Sequence, residues 1–334
     1  MMDDLGATGK LTVRKDGVLV GTQKIIDFIT GSSITLTAVE DPATGKVSLT
    51  IASTASGGGT PRALTGGRLT LTSGTSVTTA DVTAAGTIYY TPHIHDLIAL
   101  YDGSAWQDTV FTEKSLALTA TSGKNYDVYG YLSGGALALE LSAAWTNDTT
   151  RATALTTQDG VYVKSGAVTR RYLGTIRASA ANKTEDSAAK RFVWNSCWRV
   201  PRPMKVVEAT NSWNYTTATW RQSNANTANQ LDYVCGLALD SVQATAYSIN
   251  TGTTPNSTYL GIGVDSTTTP DMPTYLGTGL AVGLMHPSTY NGIPGLGRHF
   301  LAWLEYSEAA GTTTWYGDNG GTLLQAGITG WVMA

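Results

Sequence analysis

The sequence is poor in charge. Asp, Glu, Lys and Arg make up 14% of its 334 residues, against about 25% in ordinary soluble domains. Exposed helices draw on Glu, Lys and Arg, so a chain short of these and rich in Gly, Ser, Thr and Ala favours short strands and turns. Phenylalanine is scarce as well: 4 Phe stand against 16 Tyr and 9 Trp. Tyr and Trp carry a polar edge that Phe lacks, which suits rings at subunit interfaces, binding surfaces and sandwich rims. With only Cys197 and Cys235 there is no disulfide framework, and two small buried apolar groups in a reducing compartment is the simpler reading. No apolar run approaches the ~20 residues that span a bilayer. The start, "MMDDLGATGK", is acidic and lacks an apolar stretch, so neither membrane insertion nor signal-peptide export is expected. The net charge of −3 gives no global pull toward nucleic acid or an anionic membrane.

What the chain does have is period-two alternation. In "LTVRKDGVLVGT" the pair Asp16-Gly17 separates two apolar runs, a hairpin signal. Ile34, Leu36 and Ala38 then alternate with Thr35 and Thr37, and Val47, Leu49 and Ile51 alternate with Ser48 and Thr50. This spacing puts one apolar row on each strand, with Pro42 and Gly45 suited to the turn between. Roughly 45 residues cannot bury enough surface to be comfortable alone, so the unit calls for a partner. It is followed by "STASGGGTPR", a flexible linker.

From 63 to 181 strand follows strand, with turns at Ser133-Gly134-Gly135 and Ser165-Gly166, the spacing of a β-sandwich or barrel. One stretch breaks the pattern. In "NKTEDSAAKRFVWNSCWRVPRP", Thr184 suits an N-cap, Glu185 and Asp186 a first turn, Lys190 and Arg191 a later turn, and Pro201 a stop, which predicts a short helix over 185–196. The remainder reads as a jelly roll of about eight strands. The expected architecture is therefore all-β: a small N-terminal β module (1–53), a Gly/Ser linker (54–62), a middle β-sandwich or barrel (63–181), a helical connector (182–205) and a C-terminal jelly-roll-like β-sandwich (206–334).

Catalytic signals are few. "GATGKLT" lacks Walker spacing, and "GTGLAVG" sits in a strand-like run without a βαβ unit. There is no GxSxG elbow, and Asp16, Asp102 and Asp159 occupy turn-like positions. His93 and His95 would share one face of a strand, where three chains around an axis would supply six nitrogens, but two histidines without further ligands are a weak metal signal. No enzyme activity and no cofactor are expected. Ten of the 22 Lys and Arg fall within 164–205, either as a basic patch for an acidic partner or anionic glycan, or as a collar paired with Glu185, Asp186 and Glu208.

The C-terminal loops are richer. Trp213, Tyr215 and Trp220 lie among Asn, Ser, Thr and Gln, and Tyr290, Trp315 and Tyr316 have similar surroundings. Such mixtures stack on sugar rings and hydrogen-bond their hydroxyls, and the same residues also anchor subunit interfaces.

The run "VRKDGVLVGTQKIIDFITGSSITLTAVEDPATGKVSLTIAS" with its Gly/Ser linker resembles the N-terminal module of tailed-bacteriophage structural proteins of the tail-fibre or minor-tail type. The following stretch, from "GRLTLTSGTSVTTADVTAAGTIYYTP" to "RVPRP", is similar to other phage virion proteins, so that the likeness covers about 11–203. The resemblance implies a virion protein made in the host cytoplasm, usually a homotrimer. It would attach to other virion proteins through Ile25, Ile26, Phe28, Ile34, Leu36, Val47, Leu49 and Ile51, and carry a tip that recognises a host-surface glycan or protein. Coiled-coil heptads and shaft repeats are absent, which implies a short fibre or spike. A head fibre or capsid decoration protein, and a host-glycan depolymerase, remain as alternatives.

Overall fold

The structure, a computed structural model, describes residues 64–253, 256–278 and 285–334, together with the backbone strands Leu11–Lys15, Val18–Gln23, Ile34–Asp41 and Lys46–Ser53. The chain divides into two compact units, Met1–Gly59 and Thr60–Ala334. In the first, Leu11–Lys15 pairs antiparallel with Val18–Gln23, and Ile34–Asp41 with Lys46–Ser53. The second pair sets Leu36 opposite Ile51, Ala38 opposite Leu49 and Glu40 opposite Val47. Ile25, Ile26 and Phe28 lie outside the described residues, as does the linker.

The second unit is all-β. Among the described residues its one helical element is a 3-10 turn, Ser223–Ala225. A fourteen-stranded sheet runs from Ala136–Leu141 through Asn125–Ser133, Ala167–Ala180, Lys183–Asp186, Lys190–Arg191, Gln230–Cys235, Gly297–Ser307 and Ser257–Val264 to Thr274–Thr278. Its first half packs under a three-stranded sheet and the hairpin Leu97–Tyr101/Trp106–Val110, sharing a core of Leu69, Ile88, Tyr90, Ile98, Leu100, Val128, Leu173 and Ile176. Its second half faces a six-stranded sheet in a β-sandwich, over a core that includes Leu231, Tyr233, Leu260, Ile262, Leu301 and Trp303 from one side and Met204, Val242, Ala244, Trp315, Ile328 and Val332 from the other. Val242–Gly252 shows why: Val242, Ala244, Ala246 and Ser248 are buried while the residues between them are half-exposed, as period two requires of a strand with one covered face.

The helix expected over 185–196 is absent. That stretch forms strands Lys183–Asp186, Lys190–Arg191 and Val193–Asn195. Thr184 does not cap a helix; its hydroxyl donates to the Arg177 carbonyl at 2.7 Å. Arg191, Phe192, Val193, Trp194 and Asn195 are all buried in succession. A strand lying between two packed layers buries both of its sides, whereas a short surface helix would keep one wet. The boundaries expected at 181 and 206 are likewise not breaks in the fold. Lys190–Arg191 pairs parallel with Gln230–Cys235, and Pro201–Val207 pairs along its whole length with Gly327–Met333.

Candidate binding face

Three antiparallel strands carry a tyrosine in the same row. Tyr306 on Gly297–Ser307 is paired with Tyr259 on Ser257–Val264, which is paired in turn with Tyr275 on Thr274–Thr278. Directly opposed residues share a face, so the rings form a ladder on the side turned away from the core. Tyr259 and Tyr306 lie 5.5 Å apart edge to face, and Tyr259 and Tyr275 5.3 Å apart at a tilt. Trp220 caps one end, 5.4 Å from Tyr306 and 6.4 Å from Tyr259. Tyr275 is 50% exposed and the other three rings are half-buried.

Gly261 lets Trp220 approach. A Cβ there would stand 2.5 Å from Pro270 Cβ and 3.3 Å from Trp220 Cζ3, so any side chain would have to displace Pro270 and crowd the indole.

Beneath the ladder lies Glu305, fully buried. It accepts from Arg221 Nε at 2.7 Å, from the Asn224 backbone N–H at 3.1 Å and from Trp213 Nε1 at 2.8 Å. Burial pushes its carboxyl up to about 7, against the opposing pull of Arg221, Trp213 and Asn224. The Arg221 guanidinium lies 3.7 Å over the Tyr215 ring. One tie therefore joins the strand of Tyr306, the segment that carries Trp220 and the facing sheet.

The six expected contact aromatics separate. Trp220 enters the ladder. Trp213 is half-buried, edge-on to Trp303 and bonded to Glu305, while Tyr316 is half-buried with its hydroxyl bonded to Thr251 at 3.2 Å. Trp315, Tyr215 and Tyr290 are corrected as contact residues, because all three are core. Trp315 is fully buried and donates to Ser307 Oγ at 3.0 Å; Tyr215 donates to the Thr219 carbonyl at 2.7 Å; Tyr290 packs between the sheets. Tyr259, Tyr275 and Tyr306 were not singled out in the sequence. Each is simply the outward residue of its own alternating strand, and only strand register brings the three together.

His93 and His95 are not side by side on a strand but lie in the bend after Thr87–Pro92. His93 Nδ1 bonds Ser76 Oγ at 2.9 Å and His95 Nδ1 accepts the Leu97 N–H at 3.1 Å. Among the described residues no group of three or more His, Cys, Asp and Glu is placed to hold a metal ion. The basic residues of 164–205 are largely paired. Lys164 and Arg170 meet Glu140, Arg177 meets Asp148, Lys190 meets Glu185, Arg191 and Arg202 share Asp186, and Arg199 meets Asp240. Arg171 donates to the carbonyls of Leu64 and Ala99. The collar thus acts as internal mortar between strands.

No family model and no curated protein matches the chain. Among solved structures it is similar to the insecticidal delta-endotoxin Cry8Ea1 from Bacillus thuringiensis (7% identity, TM-score 0.24, 78% of this chain and 51% of that one). It is also similar to dimeric latent PorU from Porphyromonas gingivalis (6%, 0.28, 76% and 24%) and to the VP2 subviral particle of infectious bursal disease virus (9%, 0.25, 76% and 73%). The chain spans about half the length of the endotoxin and a quarter of PorU. At these scores the likenesses say nothing of activity.

Proposed function

We propose that the chain is a bacteriophage virion protein, a short tail fibre or spike that engages a host cell-surface glycan through the ladder of Trp220, Tyr306, Tyr259 and Tyr275. The observation that carries this reading is four partly exposed aromatic rings in contact on one sheet face, three of them directly paired across neighbouring strands, with a bulge beside Tyr259. Ring faces stack on the apolar faces of sugars while phenolic hydroxyls meet sugar hydroxyls, a mixture typical of adaptable recognition surfaces. The N-terminal module, by its resemblance, seats the protein on the virion, and the assembled form is a homotrimer.

The test is binding of the purified full chain to host cells and to arrayed host glycans. Trp220→Ala with Tyr275→Ala should reduce binding at least tenfold, and the loss of one good stacking contact alone is worth about 1 kcal/mol. Undiminished binding by the double variant overturns the site. A second reading, a head fibre or decoration protein, draws on Met272, 64% exposed and three residues from Tyr275. It predicts that the same variant leaves cell binding unchanged and loses binding to capsids.

A further inference from the structure

Glu305 sits between Leu304 and Tyr306, so the alternation of the strand turns its carboxylate inward while the Tyr306 ring faces out. Every group that meets the carboxylate is a donor. Oε1 receives Arg221 Nε and Nη2, each at 2.7 Å, and the Asn224 N–H at 3.1 Å; Oε2 receives the Trp213 indole N–H at 2.8 Å. Among these contacts there is no acceptor. They come from three separate stretches: Trp213 from Ser212–Asn214 in the facing sheet, Arg221 from the short strand Arg221–Gln222, and Asn224 from the 3-10 turn. Trp220 immediately precedes Arg221, and its indole is the cap of the ladder.

We infer that Glu305 is the positioning residue of the aromatic face and works as a proton-operated latch, in which uptake of one proton by its carboxylate releases Arg221 and with it Trp220. This rests on the proposed function for its purpose, though not for its mechanism. The chemistry is a single protonation. A carboxylate oxygen takes a proton and becomes an O–H, which needs an acceptor where the site supplies only donors. If Oε2 is protonated, the Trp213 N–H loses its partner; if Oε1 is protonated, Arg221 and Asn224 lose theirs. Either way the charge that holds the guanidinium is gone, and Arg221, 30% exposed at its side chain, has water to turn to.

The carboxyl is placed to use this near neutrality, since burial carries it up to about 7. Its surroundings hold few competing charges. Among the described residues Arg221 is the one charged group in contact, with the Tyr215 ring beneath it, and Tyr306 on the same strand faces the other side. On the neighbouring segments, Glu208 is engaged by Thr210, Asn226 and Asn229 and is held down at about 2, so it stays charged through this range.

The experiment needs no ligand. The full chain is labelled with 5-fluorotryptophan, the Trp213 and Trp220 resonances are assigned with Trp213→Phe and Trp220→Phe, and 19F spectra are taken from mildly acidic to mildly alkaline pH. The expected result is that both resonances shift together with one midpoint near neutrality, and that Glu305→Gln locks both at their low-pH positions. A Trp220 resonance indifferent to pH, or one that still titrates in Glu305→Gln, overturns the latch. Should Glu305→Gln fail to fold, as the other tryptophan resonances would reveal, Arg221→Gln serves instead. Removing the cation should raise the midpoint and shift Trp220, and an unchanged midpoint overturns the proposal equally. A titration that holds while glycan binding fails leaves the latch standing and defeats the reading of function.

Discussion

At the scale of single residues, burial separates aromatic rings that look alike in the sequence. Trp315, with no exposed surface and its indole N–H satisfied inside the core, fills a packed site between the sheets. Trp315→Ala should cost about 3–5 kcal/mol, the usual range for emptying a packed aromatic site. Tyr275, half in solvent, should lose no more than about 0.5 kcal/mol as Tyr275→Ala. Denaturant unfolding of the two variants checks the contrast; equal losses would show that Tyr275 is structural. Gly261→Val is a sharper probe, because its side chain must displace Pro270 or Trp220. Overpacking of this kind costs about 1–3 kcal/mol, and a spectral change confined to Trp220 would place the damage at the ladder.

At the scale of elements, two buried carboxylates tie loops to strands and respond to pH in opposite directions. Glu305 has its folded value raised from 4.5 to about 7 by burial, so the fold favours its neutral form. Its contribution to stability is full below the unfolded value and is lost as pH rises through about 7, a swing of roughly 3 kcal/mol at most. Glu208 is the reverse: burial opposes its charge, but hydrogen bonds from Asn226, Thr210 and Asn229 outweigh it and hold the group at about 2. Its contribution is present above 4.5 and is lost as pH falls toward 2. Stability measured against pH in Glu305→Gln should shrink the decline through neutrality and keep the acid limb, while Glu208→Gln should make the acid limb shallower without removing it, since Glu113, Glu140 and Asp265 are held down as well. Because burial of Glu305 outweighs the pull of its donors, mild acid should weaken the ladder without weakening the fold.

At the scale of the molecule, continuity of the large sheet decides where the chain can be divided. Thr60–Ala334 is one compact unit. Within it the strands on either side of 206 depend on each other, since Gln230–Cys235 and Gly327–Met333 take partners from 190–207. A fragment 206–334 should therefore remain unfolded or aggregate, whereas 60–334 should unfold in one cooperative transition matching that of the full protein. Circular dichroism melts of the two fragments decide it. On the virion reading, 60–334 should fold and fail to join particles; normal incorporation would place attachment elsewhere.

Composition and alternation were enough to make this chain all-β, because period two and the shortage of helix-favouring charged residues are local properties that each strand carries for itself. The turns at Ser133–Gly135 and Ser165-Gly166 were legible for the same reason, and Gly134, Gly135 and Gly166 do take positive φ. The stretch 185–196 misled because capping signals are equally local, while the burial of Phe192, Val193 and Trp194 on both sides depends on layers supplied by distant segments. The aromatic face was hidden for a related cause. Loop composition pointed to Trp220 but equally to Trp315 and Tyr290, and the partners Tyr259, Tyr275 and Tyr306 gave no signal at all. Register across three strands, and a carboxylate that meets donors from three separate stretches, exist only once the sheet has formed.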